Sequence, residues 1–432
     1  MQPQHTSTAP PQTPWKVITA ASIGNALEWF DLVVYASFAT IIGKLFFPSE
    51  NDYVALLTVF LTFGLSYIVR PLGGIVLGIY SDRHGRKAGM TLSIALMTVG
   101  TFMIAFMPTF AQIGVYATAG IVIARLIQGF SAGGEFGSST AYLAEQNRKR
   151  RGFFASWQIA SQGLTVVLAS AFGAVLTSQL TPEQLESWGW RIPFIFGLSI
   201  GPVAYYIRTH LHESSEFTAE KVEDNPLVST VKNQKSQVLI ALGLVVLATV
   251  SNYLILYMPT YAKRELAIPQ ELAFIATLVT GSLQFIFSPI FGHLSDRIGR
   301  LKIMTTAAFL FLILGYPMFA WLTYSPQFST LLMVQSAMGI LLAAYFGCLP
   351  ALMTELFPAQ VRTTGMALSY NLSVTFFGSF ALVIITWLIQ VTGSKLAPSF
   401  YWMFAATISL STLLVLARIL RKRPEMLRHM ST

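Results

Sequence analysis

The sequence predicts an all-α membrane protein whose twelve transmembrane helices form two pseudo-symmetric six-helix bundles. The first observation behind this prediction is composition, because 54% of the 432 residues are hydrophobic and only 11% are charged. A soluble protein carries about 25% charged residues, so most of the surface of this chain must face lipid. The other two observations are a set of twelve apolar stretches and a charged motif that occurs once in each half.

The apolar stretches have the length of membrane-spanning helices, which need about 20 mostly apolar residues. We number them spans one to twelve, at residues 16–44, 54–80, 88–108, 112–144, 153–178, 190–208, 237–262, 271–294, 303–323, 328–355, 363–391 and 397–418. A polar segment separates spans six and seven. It predicts an amino-terminal bundle at 1–208, a cytoplasmic central loop at 209–236, and a carboxyl-terminal bundle with a short tail at 237–432.

Lysine and arginine are distributed unevenly between the predicted loops. If both termini are cytoplasmic, 21 of the 28 Lys and Arg residues lie on the cytoplasmic side, five lie outside and two lie within spans. This positive-inside pattern predicts a multi-pass protein of the cell inner (plasma) membrane with both termini in the cytoplasm. The pattern also accounts for the net charge of +9 without a nucleic-acid partner.

The sequence offers little material for a cofactor site. Cys348 is the only cysteine, which excludes an internal disulfide and a cysteine cluster for a metal. The sequence contains no nucleotide-binding loop. It also offers no soluble domain larger than the central loop. We therefore expect no cofactor, no metal and no catalytic residues. We also expect the protein to function as a monomer in the lipid bilayer.

A charged motif, G-x-x-x-D-R-x-G-R, follows span two and occurs again after span eight. The first copy contains Gly78, Asp82, Arg83, Gly85 and Arg86, and the second contains Gly292, Asp296, Arg297, Gly299 and Arg300. A second repeat follows, since Glu145 ends span four and Glu355 ends span ten, with Arg362 soon after. Two matched features about half a chain apart indicate duplicated six-helix halves.

Five ionisable residues lie deep within spans, and all belong to the first half: Glu28, Asp31, Arg70, Arg125 and Glu135. Such a group costs roughly 2.5–3.5 kcal/mol on insertion, so it is functional by default. At about 1.5 Å per residue, the depths predict that Asp31 and Arg125 meet near the midplane and that Arg70 lies near Glu28. A structural salt bridge is the alternative interpretation.

A carboxylate that faces arginine at low dielectric can couple a proton to an anion. Protonation of the acid frees the arginine to bind a substrate carboxylate with two hydrogen bonds. Burial raises the pKa of a carboxyl group and a nearby cation lowers it, so the two effects can place its titration near working pH. Proton and anion then favour each other's binding, which is the logic of symport.

The second half lacks a deep acid, so we expect it to contribute neutral polar groups. The candidates are Asn252, Tyr253, Tyr257, Gln284, Tyr370 and Asn371. Ordinary packing between helices is the alternative interpretation of each.

The doubled motif resembles that of the major facilitator superfamily. Further motifs, taken in order along the chain, resemble the metabolite:proton symporters of that superfamily, and most of all the citrate and tricarballylate carriers. They include Asn25, Glu28, Trp29, Asp31 and Tyr35 in span one, Arg125, Gln128 and Glu135 in span four, and Trp157, Gln158, Ser161 and Gln162 in span five. Trp29 departs from the citrate-carrier pattern, which leaves dicarboxylates open.

This resemblance implies the major facilitator fold and a proton-coupled symporter that imports a small organic acid anion, so its partners would be that anion and protons. Asp31, Glu28 and Glu135 would couple protons. The substrate would contact Arg125, Arg70, Asn25, Gln128, Gln158, Ser161, Gln162 and Tyr35 of the first half, and Asn252, Tyr253, Tyr370 and Asn371 of the second. Residues of the two motif copies, with Glu145, Glu355 and Arg362, would latch the bundles at the cytoplasmic face.

Related carriers provide the alternatives. Carriers of 2-oxoglutarate or shikimate share most of these motifs. Symporters of zwitterionic osmolytes such as proline or betaine are also relatives, although the best-known ones carry a long coiled-coil tail that this sequence does not show. A drug or metabolite exporter that works by antiport is a further alternative, and no motif supports a membrane enzyme or receptor.

Overall fold

The computed structural model describes residues 14–84, 86–209, 226–358 and 361–422. Within these ranges, some side chains are left undescribed, among them those of residues 81–91 and of Gly134 and Glu135. The described residues are almost entirely helical and contain no strand.

The helices follow the predicted spans in order. The first half contains α1 (Pro14–Ser37), α2 (Ala39–Phe46), α3 (Asp52–Ile68), α4 (Arg70–His84), α5 (Arg86–Phe106), α6 (Phe110–Ile113), α7 (Val115–Ser131), α8 (Glu135–Glu145), α9 (Arg151–Gln179), α10 (Pro182–Gln184) and α11 (Arg191–Thr209). The second half contains α12 (Pro226–Asn233), α13 (Lys235–Glu265), α14 (Gln270–Ile298), α15 (Arg300–Tyr324), α16 (Phe328–Phe346), α17 (Leu349–Leu356), α18 (Arg362–Ser373), α19 (Ala381–Thr392) and α20 (Ala397–Lys422).

Length and apolar composition support the twelve predicted spans. Among the described residues, eight helices are long and apolar enough to cross a membrane, and α1 with α2 make a ninth if the bent pair counts as one span. The shorter apolar helices Leu92–Phe106 and Val115–Ser131 correspond to spans three and four, and α11 corresponds to span six. Large apolar side chains that are exposed on the outer surface, such as Leu72, Phe102, Ile286 and Phe376, suit contact with lipid better than contact with water.

Several spans are interrupted where the sequence predicted one stretch. In span one, α1 and α2 bend by 73° at Phe38. A short 3-10 segment, Ala132–Gly134, separates α7 from α8, where two glycines lower the stability of a helix. Span ten breaks after Phe346, because Pro350 has no N–H to donate to the carbonyl of residue 346. In span eleven, a π-helical segment, Val374–Ser379, lies between α18 and α19.

The two halves pack against each other through inner helices of each. The most extensive contact joins α9 of the first half to α14 of the second, and α8 contacts α18 while α3 contacts α19. Small residues allow this close approach: a Cβ on Gly163 would lie 2.7 Å from the backbone nitrogen of Phe285. Close helix packing through small residues is typical of membrane bundles, and it encloses a central region between the halves.

Candidate functional site

One face of α1 carries the polar residues of span one. Asn25, Glu28, Asp31 and Tyr35 follow one another at intervals of three or four residues, so they lie on one side of the helix. All four are buried, and the exposed fraction is 8% for Glu28 and 4% for Asp31. Two buried carboxylates one turn apart are costly without partners, so their partners define a candidate site, which we call the central site.

Glu28 has Arg70 of α4 as its ion-pair partner. Arg70 Nη2 lies 3.2 Å from Glu28 Oε1, and both side chains are buried. The Arg70 guanidinium also stacks on Tyr67, with 4.1 Å between its central carbon and the ring centroid. The proximity expected from the predicted depths is confirmed, and the pair is neutral as a unit.

Arg125 of α7 has no comparable partner. It is fully buried, and Nη1 donates a 2.7 Å hydrogen bond to the neutral Gln128 Oε1. Its guanidinium carbon lies 4.4 Å from the centroid of Tyr35 and 5.2 Å from that of Phe63. Among the residues that the structure describes, Nε and Nη2 have no hydrogen-bond partner. Arg125 is therefore a buried cation with two unused donor nitrogens.

Asp31 and Arg125 lie together, as the sequence predicted, but Gln128 separates them. Within the described part of the chain, no carboxylate oxygen lies within 4.0 Å of an Arg125 nitrogen. Instead, Gln128 Nε2 donates to Asp31 Oδ2 at 3.3 Å and to Thr101 Oγ1 at 3.1 Å. The Thr101 hydroxyl also donates to Asp31 Oδ2, whereas Asp31 Oδ1 has no hydrogen-bond partner among the described residues. The direct ion pair is thus replaced by an amide bridge.

Three of the predicted polar residues form one hydrogen-bonded group between α1 and α9. Asn25 Nδ2 donates to Ser161 Oγ at 2.7 Å and to the carbonyl of Gln158 at 3.0 Å. In return, Gln158 Nε2 donates to Asn25 Oδ1 at 2.9 Å. Gln162, one turn further along α9, faces the Tyr370 hydroxyl of the second half without good hydrogen-bond geometry.

Tyrosines of the second half cover the central site. Tyr253 of α13 shares a hydrogen bond between hydroxyl groups with Tyr67 of α3, and its ring packs 6.3 Å from Trp29. Tyr370 of α18 stacks on Phe136 of the first half, with 3.6 Å between ring centroids. These rings close the space between the halves at the level of the two arginines.

The other predicted residues of the second half differ in their partners. Asn371 Nδ2 donates at 3.0 Å to the carbonyl of Gly133, which joins α18 to the break between α7 and α8. Asn252 Oδ1 and both amide atoms of Gln284 are buried without a hydrogen-bond partner among the described residues. Tyr257 accepts a 3.3 Å hydrogen bond from Thr386 within the same half.

At the predicted cytoplasmic face, the second motif copy joins the halves. Asp296 accepts hydrogen bonds from the backbone nitrogens of Gly152 at 2.8 Å and Phe153 at 3.0 Å. These are amides in the first turn of α9, where a carboxylate is favoured by the helix dipole. Arg300 pairs with Asp296 at 3.0 Å and with Glu355. We call these contacts the cytoplasmic latch.

An ion pair also crosses between the halves at the same face. Arg362 Nη1 lies 3.2 Å from Glu145 Oε1, so α18 and α8 are joined near their ends. Gly299 has φ of 95° between α14 and α15, a conformation that favours glycine. Arg297 is exposed. The predicted roles of Glu135 and of the first motif copy, at Gly78, Asp82, Arg83, Gly85 and Arg86, lie outside the residues whose side chains the structure describes.

Contacts at the opposite end of the molecule were not predicted from the sequence. The Tyr53 hydroxyl of α3 donates to Glu265 Oε1 at 2.9 Å, and the guanidinium of Arg264 lies 4.4 Å from the Tyr53 ring centroid. These outer contacts join the halves at the end of the molecule opposite the cytoplasmic latch. Thr101 was also missed, and its only sequence signal is a hydroxyl within an apolar stretch.

Comparison with known proteins agrees with this architecture. The profile of the Major Facilitator Superfamily matches residues 21–283 and 264–429. A citrate-proton symporter of Klebsiella pneumoniae is 36% identical over 397 residues, which cover 91% of this chain and 89% of the relative. A second citrate-proton symporter, of Salmonella typhi, is 35% identical over 423 residues and covers 97% of this chain and 98% of the relative. A proline/betaine transporter of Salmonella typhimurium is 31% identical over 418 residues, which cover 92% of this chain and 82% of the relative.

A solved structure shares the fold at lower sequence identity. The crystal structure of a D-xylose-proton symporter superposes with a TM-score of 0.72 at 18% identity, and the match covers 91% of this chain and 97% of that protein. This match supports the arrangement of two six-helix bundles. Profile, relatives and fold agree, and the chain belongs to the major facilitator superfamily.

Proposed function

We propose that this protein is a proton-coupled symporter that imports a small organic acid anion by alternating access. The substrate is a tricarboxylate such as citrate or tricarballylate, or a dicarboxylate. The observation that carries the proposal is Arg125, a fully buried cation with two donor nitrogens that no described residue uses. A carboxylate of the substrate completes this site.

Energetic considerations favour an anion at Arg125. A buried charge without a partner is unfavourable by several kcal/mol. A protein that keeps such a charge is expected to use it to bind a ligand of opposite charge. A carboxylate can bind a guanidinium through two parallel hydrogen bonds, each worth about 1.5–3 kcal/mol when a charged group is involved. The aromatic faces of Tyr35 and Phe63 fix the plane of the guanidinium for this purpose.

Proton coupling follows from the charge balance of the central site. Glu28, Asp31, Arg70 and Arg125 sum to zero when all four are ionised, and all four are buried. A bound anion leaves excess negative charge, which protonation of a carboxylate removes. Asp31 is the first candidate because Gln128 lies between it and Arg125, so Asp31 has no direct ion pair among the described residues. Glu28 is the second, and the predicted participation of Glu135 stays a prediction.

Arg70 would bind a second carboxylate of the same substrate. It lies close enough to Arg125 for the two charges to interact, and protonation of Glu28 would release it from its ion pair. Two arginines suit a substrate with two or three carboxylates. The names of the citrate relatives support the tricarboxylate, whereas carriers of the 2-oxoglutarate or shikimate type remain an alternative.

A zwitterionic osmolyte is the other alternative, supported by the proline/betaine relative. The aromatic rings of the site argue against it. An aromatic cage binds a quaternary ammonium through cation–π contacts, but Tyr35 and Tyr67 already contact the guanidinium groups of Arg125 and Arg70. These two rings are therefore occupied by cations of the protein itself, which favours an anionic substrate.

Alternating access would use the two bundles as moving parts. We assign them to residues 1–208 and 237–432, joined by the central loop at 209–236. The cytoplasmic latch and the outer contacts at Tyr53 and Glu265 would break in turn. We further propose that the protein works as a monomer in the inner membrane with both termini in the cytoplasm, because the charge distribution favours this orientation.

The test is uptake into proteoliposomes under an imposed pH gradient, acidic outside. Labelled citrate, tricarballylate, succinate, 2-oxoglutarate and betaine are compared. We expect one of the organic acids to accumulate and betaine to do so poorly. We also expect Asp31→Asn and Arg125→Ala to abolish driven uptake, whereas Arg151→Ala mainly affects insertion or rate. Normal transport by Arg125→Ala, or accumulation of betaine alone, would contradict the proposal.

A further inference from the structure

We infer that Gln128 is a positioning residue that couples the protonation of Asp31 to the availability of Arg125, and that its amide is not a ligand of the substrate. This inference rests on the proposed symport function and assigns the connection between its two binding events. The sequence, by contrast, predicts that Gln128 contacts the substrate.

The amide of Gln128 has a charged group at each end. Its oxygen accepts from Arg125 Nη1 at 2.7 Å, and its nitrogen donates to Asp31 Oδ2 at 3.3 Å. An amide has one acceptor end and one donor end, so cation and carboxylate together determine its orientation. The second donor hydrogen points to Thr101 Oγ1 at 3.1 Å. Both donor hydrogens of the amide are therefore used within the protein and its oxygen is bound to Arg125, so no N–H of Gln128 is available to a carboxylate of the substrate.

Packing holds Gln128 in this position. The side chain is 1% exposed, and it lies against Gly100 of α5. A Cβ on Gly100 would be 2.5 Å from Gln128 Cγ and 3.0 Å from the carbonyl of Ala124, so only glycine leaves room for the glutamine. Arg125 and Gln128 are also one turn apart on α7, which aligns their side chains. The bridge is thus a fixed part of the central site.

Protonation of Asp31 changes the strength of the bridge. Asp31 Oδ1 has no hydrogen-bond partner among the described residues, so it can take the proton while Oδ2 keeps its two contacts. The bond from Gln128 then ends on a neutral oxygen and loses about half its strength. Arg125 loses the anionic charge that Gln128 relays, and it binds an external carboxylate more tightly. By reciprocity, a carboxylate at Arg125 favours protonated Asp31.

Few other described groups lie close enough to Asp31 to link its protonation to anion binding. Arg125 is the charged residue that faces Asp31 from α7, and Glu28 on α1 itself is paired with Arg70. Among the side chains that the structure describes, the other groups around this face of α1 are neutral. They are Thr101 on α5, Gln158 and Ser161 on α9, and Gly197 on α11, where a Cβ would lie 2.5 Å from Asp31 Oδ1.

The first test needs no substrate. Infrared spectra of the purified protein, recorded against pH, report the protonation of Asp31, which is identified as the carboxyl signal missing in Asp31→Asn. In Gln128→Leu, ionised Asp31 loses a hydrogen bond to its charge. We expect its titration midpoint to move to higher pH by about one unit. A residue that only contacts substrate would leave the midpoint unchanged, and an unchanged midpoint overturns the inference.

A matched control and a second variant complete this test. Gln335 of α16 is also fully buried, and its oxygen accepts from Thr277 and Thr280 of the second half. Gln335→Leu should leave the Asp31 midpoint where it is. If Gln128→Leu does not fold, Gly100→Ala displaces the same side chain from α5 and should move the midpoint in the same direction.

Transport provides the second readout, with citrate as the probe. In Gln128→Leu we expect driven accumulation to fall about tenfold. Exchange of citrate at equal concentrations on both sides, without a pH gradient, should have a half-saturating concentration no higher than that of the wild type, because Arg125 no longer receives the anionic charge that Gln128 relays. A higher half-saturating concentration for exchange, with an unchanged number of protons per citrate, would overturn the inference. If the wild-type protein moves no organic acid, the proposed function fails, and the infrared midpoint still decides whether Gln128 links Asp31 to Arg125.

Discussion

Arg70 and Arg125 share the central site but differ in what surrounds their charge. Arg70 has Glu28 as an ion-pair partner at 3.2 Å, whereas Arg125 has a neutral amide and two aromatic rings. Nε and Nη2 of both guanidinium groups have no hydrogen-bond partner among the described residues, but the ion pair with Glu28 must be broken before the charge of Arg70 is free for a substrate. We therefore assign the first contact with substrate to Arg125 and a later one to Arg70.

Replacement of Arg125 by lysine tests whether geometry or charge matters. Lysine keeps the charge but loses the planar fork and the stacking on Tyr35. We expect Arg125→Lys to bind the transported acid at least about tenfold more weakly, since one charge-assisted hydrogen bond is worth about 1.5–3 kcal/mol. Isothermal titration measures the affinity. Arg191→Lys is the matched control, because Arg191 stacks at 4.4 Å on Trp190 outside the site. Equal affinities for wild type and Arg125→Lys would refute a bidentate contact.

At the scale of elements, the cytoplasmic latch joins the end of α14 to the beginning of α9. Asp296 accepts two backbone hydrogen bonds in the first turn of α9, so one side chain satisfies a helix end of the other half. Cys348 lies nearby at the break in span ten, buried, with its sulfur 3.6 Å from the carbonyl of Phe291. This single cysteine can report whether the latch opens.

Asp296→Asn removes the charge and one of the two acceptors. The loss of these contacts costs about 1–2 kcal/mol, which raises the open population about tenfold. We expect Cys348 to react correspondingly faster with N-ethylmaleimide in membranes. Asp52→Asn changes an exposed acid in the first turn of α3 at the opposite face and should leave the rate unchanged. An unaltered rate in Asp296→Asn would mean that this contact does not hold the cytoplasmic face closed.

The close approach of α9 and α14 makes a second prediction at this scale. A Cβ on Gly163 would lie 2.7 Å from the nitrogen of Phe285 and 2.9 Å from the carbonyl of Gly281. Such overpacking costs about 1–3 kcal/mol and disfavours the closed arrangement. Gly163→Ala should therefore lower the driven uptake rate about tenfold without loss of folded protein on size exclusion. Gly43→Ala, whose nearest atom would be 3.5 Å away, should transport normally. Normal uptake by Gly163→Ala would contradict the packing argument.

For the whole molecule, much of the fold could be predicted from the sequence, because span length, loop charge and the repeat depend on local composition. The shared depth of Asp31 and Arg125 followed from helix rise alone. Their separation by Gln128 did not, because it depends on helix rotation and on the space left at Gly100. The contact between Tyr53 and Glu265 was missed for the same reason, since only the packed helices bring distant ends together.

Contacts between the halves at both ends lead to the last prediction. Glu145 and Arg362 meet at the predicted cytoplasmic face, and Tyr53 and Glu265 meet at the outer end. Alternating access requires each contact to break once per cycle. We replace each pair by cysteines in a Cys348→Ala background and treat proteoliposomes with a cleavable thiol cross-linker. Either cross-link should abolish uptake, and reductive cleavage should restore it.

Each single-cysteine variant is the control for its pair, since it carries the same chemical modification without joining the halves. Uptake should persist in all four single variants after treatment. Transport at the wild-type rate by a fully cross-linked protein would show that the two ends do not separate during the cycle. In that case the substrate would have to pass between bundles that stay together, and the central site between Asp31 and Arg125 would need another route to either side of the membrane.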